Sequence, residues 1–153
     1  MSGEKAKLLF ETHPFCRVQD RFGRGPFKPG MPDRWRDQDG LDFPAIQDEF
    51  GLSWLEEIPA GWHAGCAFRY ITQAARWFSA AECARMAQLG YRMVTLVGCR
   101  VLRESAHQAI IVRPSPLRLA VARPWPHLTT AALDPWKNDA VMRATKDGTS
   151  DGE

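Results

Sequence analysis

Long apolar runs are missing from this 153-residue chain. No stretch approaches the roughly 18 apolar residues that cross a bilayer, and the first residues lack the apolar core of a secretory signal. The sequence therefore reads as a soluble, cytoplasmic protein that makes no use of a membrane. Paired metal-ligand spacings are missing as well. Cys16, Cys66, Cys83 and Cys99 stand 50, 17 and 16 residues apart, with no C-x-x-C among them, so neither a zinc site nor a redox motif is expected. Such thiols read as reduced small hydrophobes. His13, His63, His107 and His127 are equally scattered and make no H-E-x-x-H pattern, so no metal is expected. Gly23-Arg24-Gly25-Pro26-Phe27 lacks the strand–glycine–helix setting and the Lys-Ser/Thr ending of a phosphate-binding loop, and reads as a turn. Lys is scarce: fifteen of the twenty basic residues are Arg. That bias marks anion-binding surface or only the base composition of the gene.

What is present is an ordinary globular composition, 44% hydrophobic and 25% charged, enough for one core in one domain. Six Trp stand against two Tyr, and several sit beside Pro, Gly or charge, as at a rim or interface. The net charge of +2 hides an alternation. Residues 1–16 sum to zero, 17–36 to +4, 37–57 to −7 without a single Lys or Arg, 58–128 to +7 and 129–153 to −2. Segregation of this kind steers a charged partner, or it is cancelled internally by folding the acidic stretch against the basic body.

Along the chain, residues 1–12 read as a ragged start. Phe15 to Val18 reads as a short strand, and Gly and Pro make residues 20–30 a turn-rich loop. Loop is expected to continue over 31–45, where Pro32 and Pro44 oppose regular structure. Residues 45–57 have the spacing of a short acidic helix with Ile46, Phe50 and Trp54 on one side. A strand over 62–68, a helix over 71–78 and a second helix from Ser79 follow. Ser79 and Glu82 have the spacing of a capping box, and Gly90 is the expected stop. The pattern then turns extended at 91–97, 100–102 and most strongly at 108–112, where Ala109-Ile110-Ile111-Val112 suits a strand buried on both faces. Residues 117–122 have the character of one more strand, and Asp134-Pro135 that of a helix start. The expected architecture is α+β, a small mixed or antiparallel sheet with two or three short helices. The compact domain is expected over 13–115, a Pro-punctuated extension over 116–145 and a disordered tail over 146–153.

The order of elements resembles the ADP-ribosyltransferase-like fold. Phe15-Cys16-Arg17-Val18 looks like its early Arg strand, and His63-Ala64-Gly65-Cys66-Ala67-Phe68 with the helix at 71–78 like its middle strand and helix. Leu89 to Val94 and His107 to Val112 look like its closing hairpin. Over residues 14–113 the chain also resembles small proteins of phages and prophages that share an aromatic-x-Arg-Val opening. In this chain the further shared pieces are Gly23-x-Gly25-Pro26-Phe27, Cys66-Ala67-Phe68, Trp77-Phe78, Gly90-Tyr91 and Gln108-Ala109-Ile110-Ile111.

The resemblance implies NAD as cofactor and transfer of ADP-ribose to a host macromolecule. That chemistry passes through an oxocarbenium-like ribose and needs a carboxylate beside it. Arg17 would hold the pyrophosphate by charge-assisted hydrogen bonds, and Cys66, Phe68 and Tyr91, with Trp62, would face the nucleotide. Two positions depart from the pattern. Cys66 and Ala67 stand where a Ser or Thr belongs, and Gln108 stands where the Glu belongs. Glu104 could replace that Glu only in a shifted register, so transferase activity is expected to be weak or absent. Cys66 has no His/Asp arrangement nearby in sequence and is not expected to be a nucleophile.

The alternative is a non-catalytic inhibitor of a host defence complex, anti-CRISPR-like. Its acidic stretch, with Asp37, Asp39, Asp42, Asp48 and Glu49 flanked by Trp35 and Trp54, would occupy a site built for nucleic acid. Direct nucleic-acid binding by the Arg-rich half ranks last, because no recognised motif for it is present.

Overall fold

Five consecutive buried residues follow Pro14 and form β1 (Phe15–Gln19). In the computed structural model, which describes residues 11–37 and 44–128, this strand organises one of two small antiparallel sheets. It pairs with β3 (Arg92–Leu96), Cys16 opposite Thr95 and Val18 opposite Met93. β3 pairs on its other side with the short β6 (Val121–Ala122). The second sheet has the order β2 (His63–Ala67), β5 (Ala109–Arg113), β4 (Arg100–Glu104). All five residues of the central β5 are buried, as its unbroken apolar run requires. A single bridge stitches the sheets: the amides and carbonyls of Cys16 and Phe68 exchange two hydrogen bonds, both 2.8 Å.

Strand alternation decides what lies on each side. Phe15, Val94 and Leu96 of the first sheet share a cluster with Ala67, Ala109 and Ile111 of the second, so that cluster holds the two sheets together. The opposite face of the first sheet, with Cys16, Val18 and Met93, is covered by α3 (Ile71–Trp77) and α4 (Ala80–Gln88) through Ala74, Cys83, Met86 and Ala87. α4 begins with the expected capping box: Ser79 Oγ accepts from Glu82 N at 3.1 Å, and Glu82 Oε1 accepts from Ser79 N at 2.9 Å. Gly90, at φ 101°, ends that segment in a conformation few other residues adopt.

Several expectations are corrected. The fold is α+β, but the strands divide into two sheets, and every named pair is antiparallel. Residues 89–94 and 107–112 do not close a hairpin, because β3 and β5 belong to different sheets; the hairpin is β4–β5. Residues 31–45 are not loop throughout. α1 (Pro32–Trp35) starts with Pro32 in the first turn, where a missing N–H costs nothing. The single acidic helix expected over 45–57 is two pieces, α2 (Ile46–Phe50) and a 3-10 segment at Ser53–Glu57, parted at Gly51 with φ 72°. Only Val121–Ala122 of the strand expected over 117–122 pairs. The expected boundary at 115 is crossed by the core: Leu117 and Trp125 are buried in its two clusters. Arg113 gathers the carbonyls of Ser115, Pro116 and Leu119 beneath the connecting turn. Residues 1–10, Asp39, Asp42, the helix expected at Asp134 and the tail at 146–153 lie outside the described residues.

Candidate functional site

The pairing of β2 with β5 places Cys66 opposite Ile110 and Ala67 opposite Ala109. Continuing that register one step sets Phe68 opposite Gln108, on the same face as Cys66. Beside the seam where β1 and β2 part, this face opens into a cavity of about 580 Å³. The volume falls within the range of small-molecule sites. Phe68, Trp77 and Phe78 supply its wall from the sheet and α3, and Phe27 and Trp35 supply it from the loop and α1. Ala45, Ile46, Leu52 and Trp54 form the remaining wall. The aromatic rings pack edge-on or tilted, Phe27 to Trp35 at 5.3 Å, Trp35 to Phe78 at 5.5 Å and Phe68 to Trp77 at 5.9 Å between centroids. Such contacts hold flat faces in fixed positions.

The polar groups of the lining are few. Gln108 is buried, and its Nε2 donates to the carbonyl of Pro44 at 3.0 Å and to Glu49 Oε1 at 2.9 Å. Glu82 is buried too, and its two oxygens accept from the amides of Ser79 and Asp37, both at 2.9 Å. Arg36 is exposed and is the cationic residue among the described residues of the lining, which also includes the exposed Gln47. Cys66 contributes a thiol whose pKa burial pushes up, only partly offset by the nearby Arg17 guanidinium. It is therefore protonated at neutral pH and no thiolate nucleophile. Burial pushes Cys83 to about 12 and Cys99 to about 11.

Of the residues singled out from the sequence, Cys66, Phe68, Gln108, Trp35 and Trp54 meet at this cavity, and Glu49 reaches it through Gln108. Trp35 does so from the inside: it is 1% exposed and donates its indole N–H to Pro26 O at 3.0 Å, so it cannot flank an acidic docking surface.

Arg17 is not on the cavity. It lies 6% exposed between the sheets, donating to Cys66 O at 2.7 Å, Gly23 O at 2.9 Å and Gln19 Oε1 at 2.9 Å. Burial lowers its pKa. A guanidinium committed in this way joins the 20–30 loop to β2 and is not presented to a pyrophosphate. Tyr91 is 1% exposed in the helix-side core, its hydroxyl 3.4 Å from Gly25 O. Glu104 sits at the surface in a two-pronged pair with Arg69, 2.6 and 2.8 Å. Neither borders the cavity. Trp62 lies under Arg100, 4.5 Å from ring centre to guanidinium carbon.

Two carboxylates of the acidic stretch are paired with Arg within the chain. Asp37 pairs with Arg85, and Glu57 pairs with Arg103 at 2.7 Å. Asp48 and Glu56 are exposed without a partner among the described residues.

Phe27, Arg36, Ile46, Leu52, Trp77 and Phe78 were not among the expected site residues. The Gly-Pro-Phe turn and the Trp-Phe pair had read as turn and core, and only the long-range fold brings them face to face. Among the described residues no group of His, Cys, Asp and Glu is arranged to hold a metal ion, and no helix is long and apolar enough to cross a membrane. No family model matches the chain, and no curated protein or solved structure matches it.

Proposed function

We propose that the chain is a ligand-binding domain whose cavity takes a flat heteroaromatic ring attached to an anionic group. The first such ligand to consider is NAD, with its nicotinamide end inside. One observation carries this reading: β2 and β5 bring Cys66, Phe68 and Gln108 to the wall of an aromatic cavity of about 580 Å³. Ring stacking against such walls contributes about 0.5–1.5 kcal/mol per aromatic partner. In this reading the exposed Arg36, and not Arg17, meets the phosphates. The ADP-ribosyltransferase-like architecture and a host-directed role for a phage or prophage protein belong to the same proposal. It is supported by the early Arg strand, the middle strand leading into a helix, and the late strand that begins beside Gln108.

The protein is proposed to hold its ligand with little or no transfer of ADP-ribose. An oxocarbenium-like ribose needs a negative charge at close range; the amide of Gln108 carries none, and the carboxylates beside the cavity, Glu82 and Glu49, are engaged with the amides of Ser79 and Asp37 and with Gln108. Calorimetric titration with NAD tests the reading. Binding is expected, weakened severalfold by Arg36→Ala, with no release of nicotinamide on prolonged incubation. Absence of heat at millimolar NAD removes it.

The inhibitor reading through an acidic mimic of nucleic acid has less to draw on. Asp37, Glu49 and Glu57 are spent on Arg85, Gln108 and Arg103, and Trp35 is buried. Retention of a stoichiometric host complex that loses affinity on neutralising Asp48 and Glu56 would favour it over ligand binding.

A further inference from the structure

Gln108 is 2% exposed and lines the cavity. Its amide orientation follows from its neighbours. Nε2 donates to Pro44 O and to Glu49 Oε1, and the flipped amide would set an oxygen against two acceptors. Oε1 is then the half of the amide left for the cavity, and it accepts no hydrogen bond from a described residue.

The indole N–H groups of the described wall are already committed. Trp35, Trp54 and Trp77 each spend the indole N–H on a backbone carbonyl, those of Pro26, Gly51 and His107, at 2.9–3.0 Å. Glu82 offers only filled acceptors. An unpaired acceptor on a buried side chain, beside aromatic walls whose indole donors are committed, is complementary to a ligand that brings its own N–H.

We propose that Gln108 is the specificity-determining residue of the cavity, its Oε1 accepting a hydrogen bond from the carboxamide N–H of a flat heteroaromatic ring. The ligand class is a pyridine-3-carboxamide or a close analogue, and the inference rests on the cavity being a ring-binding site as proposed above. Selection by such a group is steep, because a ring without the donor leaves the amide oxygen desolvated and unpaired.

The test is a comparison on the unaltered protein, followed by tryptophan fluorescence or ligand-observed NMR. The probes are nicotinamide, 3-acetylpyridine, which keeps the carbonyl and loses the N–H, and nicotinic acid. Nicotinamide is expected to bind about tenfold more tightly than 3-acetylpyridine, the effect of one good hydrogen bond. Gln108→Leu should bring the two together. Glu49→Ala, which leaves Pro44 to orient the amide, should preserve the preference. Equal affinity of nicotinamide and 3-acetylpyridine for the unaltered protein overturns the role of Gln108 while leaving a ring-binding cavity in place. Failure of all three rings to bind overturns both. Because the comparison is made on the unaltered protein, it decides the matter even if the Gln108 variant does not fold.

Discussion

Arg17 illustrates how a charged residue on a strand is used for construction. Its three hydrogen bonds join β1, the 20–30 loop and β2, and the strand beneath it must make room. A Cβ on Gly65 would come within 2.8 Å of Arg17 Nη1 and 2.7 Å of Leu117 Cδ1. Arg17→Met should lower stability by about 3 kcal/mol, since it strands buried acceptors that now receive charge-assisted bonds. Gly65→Ala should cost about 1–3 kcal/mol by crowding the same place. Urea unfolding measures both.

Asp20 gives the residue scale its pH dependence. Burial alone would raise its pKa, but the amides of Arg24 and Phe22 and the ammonium of Lys28 outweigh it and hold the carboxyl below its ordinary value. A carboxyl depressed on folding contributes its full stability above the unfolded value of 3.8 and loses it as pH falls through the lower folded value. Asp20→Asn should therefore destabilise the protein by about 1–2 kcal/mol at pH 7. The difference from the unaltered protein should shrink below pH 4 in acid-unfolding curves.

At the scale of elements, the wall made by residues 44–57 stands apart from the rest. Neither α2 nor the 3-10 segment has a buried residue. The segment is held by polar contacts at its ends: Gln108 to Pro44 and Glu49, and Arg103 to Glu57 and Ser53. Elements with few buried apolar contacts open first. Arg103→Ala should speed amide hydrogen exchange across 44–57 severalfold while leaving β5 protected, and exchange of the unaltered protein should quicken there with added salt. The same elements mark what was legible in sequence. The capping box at Ser79 and the apolar run at 109–112 are local signals, and both formed as read. Pro32 was misread because proline breaks a helix interior but suits its first turn, and Gly51 divides a periodic pattern that looked continuous. Of the residues that line the cavity, Cys66, Phe68 and Gln108 had been singled out through their order along the chain. Phe27, Trp77 and the wall were not, because nothing local in a Gly-Pro-Phe turn or a helix-end Trp-Phe pair says that they face one another across a cavity.

At the scale of the whole molecule, part of the alternating charge is taken up by internal pairing. Arg85 and Arg103 from the basic half take Asp37 and Glu57 from the acidic stretch, Arg69 takes Glu11 and Glu104, and Asp20 takes Arg24 and Lys28 within its own segment. The Glu57–Arg103 pair fastens residues 44–57 against the body, and those residues form one wall of the cavity. Asp37 and Glu57 therefore act as fastenings within the chain. Whether this cavity holds a ring-bearing nucleotide, as proposed, is tested most directly by a crystal of the protein soaked in millimolar NAD. Density for the nicotinamide among Trp54, Phe68 and Trp77, with its carboxamide at Gln108 and the phosphates toward Arg36, is the result expected. A cavity empty of nucleotide under those conditions, or NAD bound elsewhere on the surface, would contradict the proposal.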